Sequence, residues 1–186
     1  MTEYWPQAGR ENTQATCELA LARAGELGIK DIVVASTTGY TARFLVNKVD
    51  NLVVVTHHVG FREPGVDEMG AEEREYLRAQ GARLVTATHL FGGVERALSG
   101  KYGGIYPGGI IAQTLRTFGQ GMKVCLEIAA MAADAGAIPW GRDVIAIAGS
   151  GRGADTAVVL RPAHAKLFFQ TQVREIICKP WEWEVR

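Results

Sequence analysis

Residues 31–45 read DIVVASTTGYTARFL. The run begins with consecutive β-branched residues, the pattern of a strand covered on both faces rather than one that alternates between core and water. The stretch TARFLVNKV (41–49) then reads as a short helix. Between the two stand Ser36, Thr37, Thr38, Gly39, Tyr40 and Thr41, more hydroxyls than one helix cap requires.

Further strands and helices follow in both directions. N-terminal to this stretch, residues 1–10 read as an irregular arm, and ENTQATCELALARAGELG (11–28) reads as a helix. Ala15, Leu19, Ala22 and Leu27 recur there at helical spacing, Asn12 and Thr13 are candidate N-caps, and Gly28 suits the C-terminus. C-terminal to it, NLVVVTHH (51–58) is a second buried strand, and residues 59–70 form a loop punctuated by Gly60, Pro64 and Gly65. A charged helix is expected from about Asp67 to Gly81, then a strand in ARLVTATHL (82–90) and a helix in FGGVERALS (91–99). After a KYGGIYPGG loop, residues 109–136 are helical, broken at FGQGMK (118–123). RDVIAIAGS (142–150), TAVVLRP (156–162) and VREIICK (173–179) are the last strands, and PWEWEVR is a tail. Alternating helices and apolar strands imply an α/β fold, a three-layer, mostly parallel sheet with helices on both faces. The last strands have no helix between them, which implies an antiparallel edge. We expect one domain over residues 1–186.

Bulk properties exclude several classes. The 186 residues carry 20 basic and 20 acidic side chains and no Lys/Arg run, so nucleic acid is not an expected partner. No apolar stretch approaches the roughly 20 residues of a membrane span. Cys17, Cys125 and Cys178 are odd in number, and no CxxC pair exists, which disfavours a disulfide framework or a cysteine zinc site. No signal-peptide layout opens the chain. The expected location is cytoplasmic.

Polar residues gather where strands end: Ser36, Thr37, Thr38 and Gly39; Thr56, His57 and His58; Thr86, Thr88 and His89; Gly149, Ser150 and Gly151. In open α/β sheets ligands bind beyond the carboxyl ends of the strands. Helices packed antiparallel to the strands would start at the same rim, which adds Asn12, Thr13 and the segment containing Gly121 and Lys123. A glycine loop feeding a helix N-terminus offers N–H groups and a partial positive charge, so the expected ligand carries a phosphate. GSGRGAD (149–155) is a weaker candidate. Ala154 stands at the third glycine of a GxGxxG reading, and a strand rather than a helix follows. Arg152 could still reach an anion from that loop.

Two long stretches carry a resemblance. ENTQATCELALARAGELGIKDIVVASTTGYTARFLV (11–46) and AADAGAIPWGRDVIAIAGSGRGADTAVVL (132–160) resemble the C-terminal domain of pyruvate kinase. GRENT, HHVGFREPG, MAADAGAIP, RGADTAVVLRPAH and EIICKP extend the likeness to small stand-alone archaeal and bacterial proteins built from that domain alone. The resemblance implies a pyruvate kinase C-terminal-domain-like fold and a phosphorylated ligand, with flavin mononucleotide (FMN) as the implied cofactor. It does not imply kinase chemistry, because 186 residues cannot hold the catalytic (β/α)₈ barrel as well.

The expected cofactor-binding residues are therefore Asn12, Thr13, Ser36, Thr37, Thr38, Gly39, Tyr40, Thr41, His58, Gly60, Phe61, Gly121, Lys123, Gly149, Ser150, Gly151, Arg152, Asp155 and Thr156. The alternatives are an enzyme acting on a phosphorylated metabolite, with His58 or His89 as the acid–base, and a ligand-sensing regulatory subunit. Adjacent His57 and His58 are expected on opposite faces, no metal is expected, and Lys123–Glu127 reads as an exposed i,i+4 pair. Trp181 and Trp183 alternate in the tail, where they could cover a sheet edge or a second copy of the chain.

Overall fold

The computed structural model describes residues 1–184; residues 185 and 186 of the expected tail lie outside the described residues. The sheet has seven strands in the order β1-β7-β6-β5-β2-β3-β4. They span Glu3–Gln7 (β1), Asp31–Ala35 (β2), Asn51–Thr56 (β3), Arg83–Thr86 (β4), Val144–Ala148 (β5), Thr156–Arg161 (β6) and Gln172–Glu182 (β7). β4, β3, β2 and β5 run parallel to one another. β6 is antiparallel to both β5 and β7, so the antiparallel part lies on one side of the sheet. Among the described residues, five α-helices accompany them: Thr13–Leu27 (α1), Ala71–Ala79 (α2), Gly93–Tyr102 (α3), Pro107–Arg116 (α4) and Gln120–Asp134 (α5).

The apolar strands read correctly because both faces are covered. Ile32 and Val34 of β2 pack with Ile145 and Ile147 of β5 against Cys17, Ala20 and Ala24 of α1. The alternate residues Val33, Val53, Val144 and Ala146 face Cys125, Ile128, Ala129 and Ala132 of α5. Small residues on both helices let backbone approach sheet closely. Truncating a fully buried side chain such as Ile147 to alanine costs about 2–5 kcal/mol in such a layer. Cys17, Cys125 and Cys178 are free and buried, and burial pushes the Cys17 thiol up to about 12 and Cys178 up to about 11.

Four local expectations need correction. Residues 3–7 are not irregular; they form β1, paired in parallel with β7. The expected helix over 41–49 is one 3₁₀ turn, Ala42–Phe44. Fully buried Ala42 and Leu45 pin that segment to the core, and Asn47 adopts a left-handed φ of 60°, which ends any helical path. The charged helix starts at Ala71, not Asp67. The Asp67 carboxylate accepts the Met69 N–H at 3.0 Å, a local turn that anchors buried Met69. Finally, β7 continues into the expected tail as far as Glu182.

Candidate functional site

The parallel strands end together at Thr86, Thr56, Ala35 and Ala148, and two clefts open along that rim. A wide cleft of about 940 Å³ lies between the ends of β2 and β3 and helices α3, α4 and α5. A narrower one of about 800 Å³ lies between residues 7–10, the 149–155 hairpin and the end of β7. Gln113, Arg116 and Gln120 line both, so they form the wall between them.

Much of the expected phosphate cradle is used internally. Ser36 is buried, and its Oγ accepts the Ala42 N–H at 3.3 Å. Thr41 is buried, and Gly39 holds φ 87° against the Glu73 side chain. Glu73 in turn pairs with Arg43. Tyr40 stacks under the Arg10 guanidinium at 3.8 Å and meets Phe44 edge-on. A single 3₁₀ turn also carries no useful helix dipole, so the argument that placed an anion on residues 36–41 through a helix N-terminus fails. Thr38 is exposed, and Thr37 is the residue of this loop that lines the wide cleft.

The hairpin and the start of α1 form a second internally satisfied unit. Thr13 Oγ1 donates to the Arg10 carbonyl at 2.6 Å and accepts the Ala154 N–H at 3.0 Å. Asn12 Nδ2 donates to the Gln7 carbonyl. Asp155, 1% exposed, accepts the Ser150 N–H at 3.1 Å and the Thr156 hydroxyl at 2.8 Å. Burial pushes the Asp155 carboxyl up, against hydrogen bonds from Thr156, Ser150 and Gly9 that draw it down. A Cβ on Gly153, at φ 74°, would overlap Thr13 Oγ1, and one on Gly121 would overlap Thr156 Oγ1. Gly149 is equally closed in by Gly153 and Ala154. Asn12, Thr13, Gly121, Gly149, Asp155 and Thr156 therefore build the rim rather than line either cleft. Ser150, Gly151 and Arg152 line the narrow cleft.

The wide cleft gathers different chemistry. Of the residues singled out from sequence, Phe61, His89 and Lys123 line it, together with His57, Phe91, Arg96 and Glu127, which were not assigned to the site. His58 does not line it; its Nδ1 lies 2.8 Å from the Val59 carbonyl. Gly60 sits in the adjoining turn at φ 81°. The opposite-face expectation for the two histidines also fails, because β3 ends at Thr56 and strand alternation no longer applies. Both imidazoles surround Phe61 and His89, at centroid distances of 3.9–5.6 Å. His57 Nδ1 is 2.6 Å from Glu68 Oε2.

Burial pushes His89 down to about 4; nearby Glu127 opposes this, while His57, Lys123 and His58 reinforce it. Lys123 and Glu127 form a buried ion pair, not an exposed one, at 10% and 5% side-chain exposure. Glu127 Oε1 also accepts the Phe91 N–H at 3.1 Å. A readable signal existed: these are the only two charges between Gly121 and Ala133, in a helix whose other residues there are apolar or small. Trp183 lines the narrow cleft with Lys179 Nζ 4.2 Å from its ring, while Trp181 meets Tyr4 edge-on. β1, not the tryptophans, flanks β7. Among the described residues, no three His, Cys, Asp or Glu side chains converge as metal ligands. No helix among them is long and apolar enough to cross a membrane.

A family model described as the pyruvate kinase alpha/beta domain matches residues 14–160. Among solved structures, a pyruvate kinase from Cryptosporidium parvum is similar at 16% identity and a TM-score of 0.44, covering 81% of this chain and 23% of that one. The Cryptosporidium parvum pyruvate kinase in complex with ADP is similar at 15% identity and a TM-score of 0.41, covering 89% and 23%. The chain thus spans about a quarter of the length of these neighbours.

Proposed function

Since the chain belongs to the pyruvate kinase alpha/beta-domain family, we propose that it is a binding domain for a phosphorylated small molecule held along the strand-end rim. The observation that carries this reading is the pair of adjoining clefts with Arg116 on their shared wall. Arg10, Arg116 and Arg152 line the narrow cleft with no carboxylate paired to them among the described residues. Among the described residues that line it, the carboxylates of Glu182 and Glu184 accompany these three guanidinium groups. A guanidinium fork suits a phosphate. The wide cleft offers Phe61, Phe91 and Tyr106 to a planar ring system.

FMN joins a planar ring to a phosphate and is the ligand to try first. In this arrangement the phosphate rests near Arg116 and Arg152, with the ring in the wide cleft. Titration calorimetry with FMN and with riboflavin separates the two parts. FMN should bind at least tenfold more tightly than riboflavin, and Arg116→Met should remove most of that difference. No heat with millimolar FMN would exclude this ligand; no difference between FMN and riboflavin would exclude the phosphate site.

A further inference from the structure

The wide cleft holds more titratable groups than ligand retention requires. His57 Nδ1 is committed to Glu68 Oε2, and Glu68, 14% exposed, is itself fixed by Arg62 Nε at 2.9 Å from its other oxygen. Nε2 is then the ring nitrogen left to exchange a proton with an occupant of the cleft. A carboxylate behind an imidazole stabilises the imidazolium that forms when Nε2 takes a proton. The neighbouring His89 ring, 5.2 Å away, stays neutral near pH 7, so it adds no second charge against that imidazolium. Lys123 lines the same cleft and provides a buried ammonium, and Arg96, which lies over Phe61 at 4.9 Å, has no carboxylate partner among the described residues.

We propose that the wide cleft is a proton-transfer centre for a small anionic carbonyl compound, with His57 as the acid–base, Glu68 as its positioning residue and Lys123 facing the developing oxyanion. His57 Nε2 takes a proton from the carbon beside the carbonyl. The C–H electron pair becomes the carbon–carbon π bond, and the carbonyl π pair moves onto oxygen, whose negative charge meets the Lys123 ammonium. The imidazolium returns its proton to the same carbon, giving exchange; where the substrate is a hydroxycarbonyl, the hydroxyl proton of the enediolate passes to the neighbouring oxyanion, the imidazolium protonates the former carbonyl carbon and the new alkoxide collapses to the carbonyl, giving isomerisation. No oxidant or reductant is consumed. This goes beyond ligand binding and does not require FMN, whose ring would compete for the same cleft, so the test is run without it.

The test is proton NMR in deuterium oxide with a stated panel: three- to six-carbon aldose and ketose phosphates, and 2-oxo acids. The expected result is enzyme-dependent loss of the α-proton signal from one of these classes. His57→Gln should slow that loss at least 100-fold. Glu68→Gln should lower kcat about 10- to 100-fold with KM changed less than threefold, and Glu68→Asp should recover part of it. No exchange above buffer across the panel, or a Glu68→Gln variant at the wild-type rate, would overturn the proposal. A second readout needs no substrate. Diethyl pyrocarbonate followed by peptide mass mapping should modify His57 faster in the wild type than in Glu68→Gln, with His164, stacked on Trp140 outside the cleft, as the unchanged reference. Equal His57 rates in both proteins would also overturn it.

Discussion

Along one half of the rim, at the β2 loop and the hairpin, polar side chains turn onto the protein's own backbone: Ser36 onto Ala42, Thr13 onto Arg10 and Ala154, Asp155 onto Ser150. Along the other half, at the β3 end and α5, polar side chains pair with each other: His57 with Glu68 across a loop, Lys123 with Glu127 one turn apart on α5. The first half joins chain segments into a frame. The second leaves charge and exchangeable nitrogens facing an open cleft. Hydroxyls clustered in sequence here satisfy the local backbone, whereas the imidazole, ammonium and carboxylate groups of the other half pair with one another beside the wide cleft.

The sharpest way to break this contrast is at the buried pair. Lys123→Met leaves the Glu127 carboxylate buried without its partner and should lower unfolding stability by about 3–5 kcal/mol. Replacing both, Lys123→Met with Glu127→Gln, which keeps an acceptor for the Phe91 N–H, should return stability to within about 1 kcal/mol of the wild type while removing the ammonium from the cleft. Denaturant unfolding of the single and double variants decides it. A harmless single variant would mean the pair is solvated and the contrast is false.

On the framing half the largest effect belongs to Thr13. Thr13→Val keeps the shape but strands the Ala154 N–H and the Arg10 carbonyl, and should cost about 2 kcal/mol in the same measurement. Thr13→Ser should restore most of it. A loss below 0.5 kcal/mol, roughly the floor for a meaningful hydrogen bond, would mean water replaces the hydroxyl.

These two halves were unequally legible. β2, β3 and β5 announce themselves because Ile32 to Val34, Leu52 to Val55 and Val144 to Ala148 are apolar at every position, the pattern of a strand covered twice. β1 does not, because EYWPQ is a largely exposed edge segment interrupted by Pro6 and carries neither pattern. The 3₁₀ turn after β2 was masked by residues that suit a helix, and tertiary burial of Ala42 and Leu45 decided otherwise. In the site, Phe61, His89 and Lys123 were reachable from their positions in the loop after β3, just beyond β4 and in the first turn of α5. The His57–Glu68 contact was not, since it spans eleven residues of irregular loop whose path no periodicity specifies.

Acid titration separates the halves further. His89 takes up a proton near pH 6.5 when unfolded and near 4 when folded, so the unfolded chain binds more protons between those values. Stability from this group is full above pH 6.5 and is lost as pH falls toward 4. A difference of that size is about 3 kcal/mol for a sealed group, and partial exposure of the ring brings it to about 2. Asp155 acts in the opposite sense, because its raised value lets the folded state hold a proton more readily. Subtracting the profile of His89→Asn from that of the wild type isolates the histidine. A difference that stays flat from pH 7 to 4 would mean the ring is hydrated.

The smallest expected effect tests the loop that first suggested an anion site. Ser36 Oγ accepts one backbone N–H at a long 3.3 Å. Ser36→Ala should therefore cost no more than about 1 kcal/mol, the range of a single cap. Its effect on FMN affinity should be less than twofold, because the hydroxyl points into the protein and the phosphate is proposed to sit in the arginine-lined cleft. Calorimetry on Ser36→Ala beside Arg116→Met makes the comparison directly. If Ser36→Ala loses tenfold in affinity at unchanged stability, the hydroxyl turns outward when ligand arrives. The loop would then belong with the chemical half of the rim, and the boundary between frame and cleft would have to be drawn on the other side of β2.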